Sequence, residues 1–244
     1  MIYLILSVFS SVTIFVIFKL FSRYQINTFH AIVVNYIVAC TSGIVAYENS
    51  INYSQIQSYD WFYFTLGLGA LFIIVFNLMA ITTQRSGLSV VSVATKMSVV
   101  IPIIFGLLYY KESFGVYKII GVLIALIAVY LASIKTRDGI SVSAKGFIFP
   151  LLVFIGSGII DTSIKFLENS FVSENDVPIF SATIFGSAAF IGLIVLGFKA
   201  VKGDFTFHFK NVLGGIALGI PNYFSIFFLV KALRSDLLDS SGIF

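Results

Sequence analysis

Charge is scarce in this chain. Asp, Glu, Lys and Arg make up 11% of its 244 residues, against about 25% in ordinary soluble domains. So few charges cannot cover a soluble fold of this length when 59% of the residues are hydrophobic. Cysteine is scarcer still: Cys40 stands alone, which rules out an internal disulfide and leaves the redox compartment unread. The net charge of +4 is small and scattered, which argues against a nucleic-acid partner. The opening run MIYLILSVFSSVTIFVIF has no basic residue ahead of it and no small-residue cleavage pattern. It reads as a retained first helix, not a signal peptide.

What the chain does have is long apolar runs and aromatic rings. The mean hydropathy is +1.03, and 27 Phe and 12 Tyr suit a lipid-facing exterior with interfacial aromatic belts. A bilayer core about 30 Å thick needs roughly 20 helical residues to cross. Segments of that kind fall at 2–21, 29–47, 61–81, 88–110, 115–134, 146–167, 178–198 and 211–231, which makes eight crossings. Asn175 and Asp176 precede Pro178, chemistry that suits a helix start. The connections are short, so a single all-α integral-membrane domain is expected.

The chain also repeats itself weakly. An offset of 146 lays Ser11 on Ser157, Lys19 on Lys165 and Leu20 on Phe166. An offset of 150 lays LGLGALF (66–72) on IALGIPN (216–222), with Gly69 on Gly219. Helices 1–5 thus fall over helices 6 onward, giving repeats at 1–138 and 139–244. A five-helix unit has an odd number of crossings, so its second copy is inverted, the architecture of secondary transporters. The same offset puts the end of a tenth helix near 284, about 40 residues past Phe244. LLDSSGIF (237–244) is therefore expected to start a ninth helix, and the chain to be a fragment of a ten-helix, 5+5 bundle.

The stretch GLLYYKESFGVYKIIGVLIALIAVYLA (106–132) closes a helix with Lys111-Glu112 and places Gly121 nine residues after Glu112, opening the next apolar helix. Together with ITTQRSGLSVVSVATKMSVVIPI (81–103) and KALRSDLLDSSGIF (231–244), it resembles the EamA-type branch of the drug/metabolite transporter superfamily. The resemblance covers the whole chain. It implies ten helices, movement of small metabolites and no catalysis. Two departures stand out: Ala128 replaces a usual second glycine, and the signature of helices 9–10 is missing.

Ionisable residues inside a membrane span cost at least ~2.5–3.5 kcal/mol, so they face protein or water. Ser86, Ser89, Ser92 and Lys96 are spaced 3, 3 and 4, one face of a helix. A polar stripe leading to Lys96 predicts a cavity wall; a structural lysine paired with an acid or a helix-end carbonyl is the alternative. Pro102 cannot donate a backbone hydrogen bond, which is expected to free the Ser98 carbonyl. Ser157, Asp161, Lys165 and Glu168 share a second face. Asp161 is either one member of an i, i+4 pair with Lys165 or a proton-coupling carboxylate. Lys165 and Glu168 are expected to snorkel toward the interface. On a depth estimate, a gap near 10 Å at 1.5 Å per residue separates Lys96 from Asp161 in height.

Asn35, Asn77 and Asn222 fall within spans, where substrate contact and interhelical hydrogen bonding both suit them. Gly215/Gly219, Gly121/Ala125 and Ala182/Gly186 form small-xxx-small pairs, read as close packing. Glu112 reads as a helix end. His30 and His208 lie near span ends with no metal spacing or nucleophile triad, so no cofactor and no enzymatic chemistry are expected.

Loops after odd-numbered helices carry nine Lys/Arg and those after even-numbered helices five. The positive-inside rule then places the N-terminus outside; the resemblance implies the reverse, and the charges are followed. The expected function is alternating-access transport of a small organic metabolite, an amino acid or other carboxylate, across the inner or plasma membrane. Lys96, Ser92, Ser89, Asn77 and Asn222 are the candidate substrate contacts and Asp161 the candidate proton-coupling acid. The bilayer and the solute are the expected partners, and a homodimer is admissible. The alternative from another class is a non-transporting membrane scaffold. A lipid-modifying enzyme is disfavoured, because no polar cluster sits at an interface.

Overall fold

The computed structural model describes residues 2–48, 53–109, 115–136, 139–140 and 144–233. Helices follow the apolar runs: α1 Ile2–Arg23, α2 Thr28–Val45, a short α3 Tyr53–Ser58, α4 Phe62–Arg85, α5 Leu88–Met97, α6 Val100–Tyr109 and α7 Val116–Ile134. A two-residue-per-strand ribbon, β1 Lys135–Thr136 and β2 Gly139–Ile140, precedes α8 Ala144–Phe171, α9 Val177–Val201 and α10 Phe209–Leu233. Among the described residues, seven helical stretches are long and apolar enough to cross a membrane, with α5 and α6 counted as one. The remaining expected crossing, 115–134, is α7, whose Ile119–Leu131 is a shorter apolar stretch. The ninth helix expected over 237–244, and the Lys111-Glu112 pair, lie outside the described residues.

Local chemistry sets the joints. The Asn27 side chain accepts from the His30 backbone N–H at 3.2 Å and caps α2, satisfying one of the orphan donors at a helix start. Between α4 and α5 the chain turns at Gly87, whose φ of 99° and ψ of 164° lie in a region essentially reserved for glycine. The fourth crossing is broken at Ser98–Val99, four residues ahead of Pro102. The Ser98 carbonyl is not left free, as the proline alone predicts: it accepts from the Ile101 N–H at 2.9 Å in a tight turn that restarts the helix.

Close packing is built on small residues. A Cβ on Gly69 would lie 2.5 Å from the Ser187 Cβ and 3.0 Å from the Ile184 carbonyl of α9. A Cβ on Gly219 would lie 2.7 Å from the Val38 Cβ and 2.8 Å from the Asn35 carbonyl of α2. The two glycines matched at the 150-residue offset thus seat α4 on α9 and α10 on α2. Gly215 also meets α2, and Ala182 and Gly186 face Gly43 and Cys40 there. Gly121 departs from the expectation of close packing, since a Cβ there meets nothing within 4 Å.

The helices α2 and α9 pack on each other at the centre, flanked by α10 and α4 respectively, with α1 on α10 and α8 on α4. Their buried faces form the core, with Phe18, Tyr36, Phe180 and Phe185 almost wholly enclosed. Outward, Phe9, Phe190 and Val201 are 71%, 66% and 89% exposed, the apolar exterior a bilayer covers.

Candidate functional site

A cavity of about 190 Å³ lies between α1, α4, α5, α8 and α10. Residues at the two sequence offsets recur in its walls. At the 146-residue offset, Ser11 and Ser157, Ile14 and Ile160, and Phe15 and Asp161 all line it, from α1 and α8. At the 150-residue offset, Phe72 and Asn222, Val75 and Ser225, Phe76 and Ile226, and Met79 and Leu229 line it from α4 and α10. Seven matched pairs therefore meet around one space. Their chemistry is unequal: three pairs set an apolar side chain of the first half, Phe15, Phe72 or Val75, against a polar one of the second.

Lys96, on the last turn of α5, lines the cavity and is exposed into it. Asp161 faces it from α8, and the two charges attract each other. Among the described residues these are the charged groups of the cavity wall. The depth estimate from sequence disfavours a direct bridge between them; the two line one cavity. The Ser98 hydroxyl, held in the break, donates to the Thr95 carbonyl at 2.5 Å and also lies within hydrogen-bonding reach of the Asp161 carboxylate. One hydroxyl proton thus sits among two acceptors when Asp161 is ionised.

The neutral polar groups are tied together. Asn222 donates from Nδ2 to Asn35 Oδ1 at 3.1 Å, linking α10 to α2. The Ser225 hydroxyl donates to the Asn222 carbonyl at 2.8 Å, and the Ser7 hydroxyl donates to the Ser225 carbonyl at 2.9 Å. Three serines of the wall, Ser7, Ser11 and Ser225, were not among the sequence candidates. The Ser11–Ser157 match and the i, i+3 spacing of Asn222 and Ser225 were the signals available for them.

Three sequence candidates do not line this cavity. Ser89 is exposed and Ser92 half-buried, both nearer the start of α5 than the wall formed by Thr95, Lys96 and Val99. Asn77 donates to the Ile73 carbonyl of its own helix at 2.7 Å, one residue off the stripe of 72, 75, 76 and 79. Lys165 and Glu168 do not snorkel: they are 4% and 5% exposed, inside the bundle.

Such a bundle, apolar outside and holding a charged cavity, defines a multi-pass membrane protein. The chain belongs to the EamA-like transporter family, which matches residues 1–134. An uncharacterised protein of Haemophilus influenzae is 31% identical over 240 residues, covering 95% of this chain and 79% of that protein. No solved structure matches significantly.

Proposed function

We propose that this protein is a secondary transporter that carries a small carboxylate-bearing metabolite, an amino acid or related acid, across the inner or plasma membrane by alternating access. The observation that carries this reading is Lys96, an ammonium projecting into a mid-bundle cavity and faced by Asp161 from the other half. Intramembrane charges that face a cavity mark solute and ion pathways, and such sites sit where inverted repeats meet. Lys96 draws in the carboxylate. Asn222, held by Asn35, and the serine hydroxyls orient it.

Asp161 is the proton-coupling group of this mechanism. When it is protonated, its O–H can donate to Ser98 Oγ while Ser98 donates to the Thr95 carbonyl, so both protons have an acceptor. When it is ionised, its charge is balanced by Lys96. Either state is tenable, as a group that loads and unloads a proton requires.

The test is uptake of labelled amino acids and other carboxylates into proteoliposomes holding the full-length protein, compared with the Lys96→Met variant. Saturable uptake lost in the variant supports the reading. A protein that moves none of these solutes overturns the carboxylate reading and favours the scaffold alternative.

A further inference from the structure

Positive charge and bare aromatic rings gather at the end of the bundle where α1 turns into α2 and α9 turns into α10. Residues 19–30 and 198–211 carry Lys19, Arg23, Lys199, Lys202 and Lys210 against one acid, Asp204. All five bases are exposed. We propose that these two turns bind the headgroup phosphate of an anionic phospholipid between Lys199 and Lys210, with Phe207 and Phe209 set into the acyl region beside it. The site is separate from the solute cavity and does not depend on the transport reading.

The two turns are held face to face. The Asn27 N–H donates to Asn211 Oδ1 at 2.9 Å, and the His30 ring lies 5.0 Å from the ring of Phe205. Two ammonium groups reach across. Lys199, near the end of α9, places its Nζ 4.8 Å over the Phe29 ring, and Lys210, in the first turn of α10, donates to the Tyr24 carbonyl at 3.4 Å. They therefore meet the α1–α2 turn near its two ends. An ammonium has three N–H donors and accepts nothing. Lys210 uses one of them on Tyr24, and Lys199 rests on a ring face, which attracts the charge as a whole. The donors left over suit anionic oxygens, and bonds of that kind are the strong ones.

The rings beside these lysines set the depth. Gly203, at a φ of 80°, turns the chain out of α9, and 204–208 run on without helix to α10. Phe207, Phe209 and Tyr24 are left 67%, 65% and 60% exposed. At the edge of a bilayer, aromatic rings settle at headgroup level and lysine stems lie along apolar surface with the ammonium in water. A soluble phosphate would match the lysines and leave the rings wet. A zwitterionic lipid would cover the rings, but its own cation accompanies the phosphate and leaves the cluster uncompensated. An anionic lipid answers both needs, and clustered basic residues at a membrane surface attract such lipids.

The test gives the purified full-length protein, in neutral detergent, phosphatidylglycerol, phosphatidylcholine or glycerol 1-phosphate. Melting temperature and lipid retained in native mass spectrometry are the readouts. Phosphatidylglycerol should raise the melting temperature and stay bound, while the other two at equal concentration do neither. Lys199→Gln and Lys210→Gln should each weaken retention about fivefold, and the double variant about 30-fold. Phe207→Ser should weaken retention without moving the melting temperature of lipid-free protein. Lys231→Gln removes the same charge at the opposite end of α10 and should leave retention unchanged. If glycerol 1-phosphate stabilises as well as phosphatidylglycerol, the site takes a soluble phosphate and the lipid proposal is overturned. Equal retention of the two lipids, no retention of phosphatidylglycerol, or a loss in Lys231→Gln as large as in the double variant would also overturn it. Should the double variant not fold, the two single variants decide.

Discussion

Lys96 and Asp161 are the residues at which removal of one charge separates a binding role from a structural one. Lys96→Met keeps most of the side-chain volume and removes an ammonium that stands open to the cavity. Because Asp161 can take up a proton once the ammonium is gone, the melting temperature in detergent should hold or rise, while carboxylate uptake falls at least about tenfold. A lysine locked in a structural pair behaves oppositely, since removing one partner of a buried pair costs about 3–5 kcal/mol. Lys96→Arg keeps the charge but replaces a compact ammonium by a planar fork, and should recover only part of the uptake. Asp161→Asn should abolish the response of uptake to an imposed pH gradient, because an amide carries no exchangeable proton. Uptake in that variant still driven by the gradient would move proton coupling to another group.

At the scale of the element, glycine decides how closely helices approach. Gly69→Leu and Gly219→Leu each drive a side chain into a neighbouring helix's backbone, at α9 and α2 respectively. Overpacking of that kind costs about 1–3 kcal/mol, and both variants should melt earlier. Gly121→Ala is the contrast: nothing lies within 4 Å of a Cβ there, and alanine favours a helix by about 1 kcal/mol over glycine. Gly87→Ala meets no atom either, but its backbone torsions cost a residue with a Cβ about 1–3 kcal/mol. Thermal unfolding of these four variants, followed by tryptophan fluorescence from the enclosed Trp61, separates contact from conformation.

The sequence made the helices legible because a membrane span is defined by one-dimensional quantities, length and apolarity. The cavity was legible only in part. Spacing identifies which face of a helix is polar, and the faces of Lys96 and Asp161 read in that way do line the cavity, as does Asn222, singled out as a polar residue within a span. Spacing does not say how far along the helix the cavity runs, so Ser89 and Ser92 share the face of Lys96 yet fall short of the wall. The break at Ser98 was hidden for a related reason: Pro102 announces a lost donor, but a tight turn four residues earlier resolves it, and that depends on neighbours. Lys165 and Glu168 read as interfacial because their burial comes from other helices.

The whole molecule is held at its two ends by different chemistry. At one end the Asn27 N–H donates to Asn211 Oδ1 at 2.9 Å, Gln84 donates to Thr28 at 2.8 Å, and Lys199 lies 4.8 Å over the Phe29 ring. At the other the Tyr47 hydroxyl donates to Asp176 at 3.3 Å. Most of the loop lysines and arginines belong to the first end, so the positive-inside rule leads us to expect that end in the cytoplasm. With Cys40 replaced by serine, a cysteine introduced for Glu48 should react with a membrane-impermeant maleimide on intact cells. One introduced for Gly203 should react only after lysis, and the opposite pattern would invert the topology.

Unequal walls also give transport a head and a tail. Two identical walls would accept a dipolar molecule in either of two orientations, but here Phe15, Phe72 and Val75 stand where the other wall has an acid, an amide and a hydroxyl. A dipolar cargo carried as proposed would settle one way round. If the helices rock while the cargo keeps its place, it arrives with one end leading and departs with the other end leading. The two mouths of the passage then grip different ends of the same molecule, and the rate of loading at one need not equal the rate at the other.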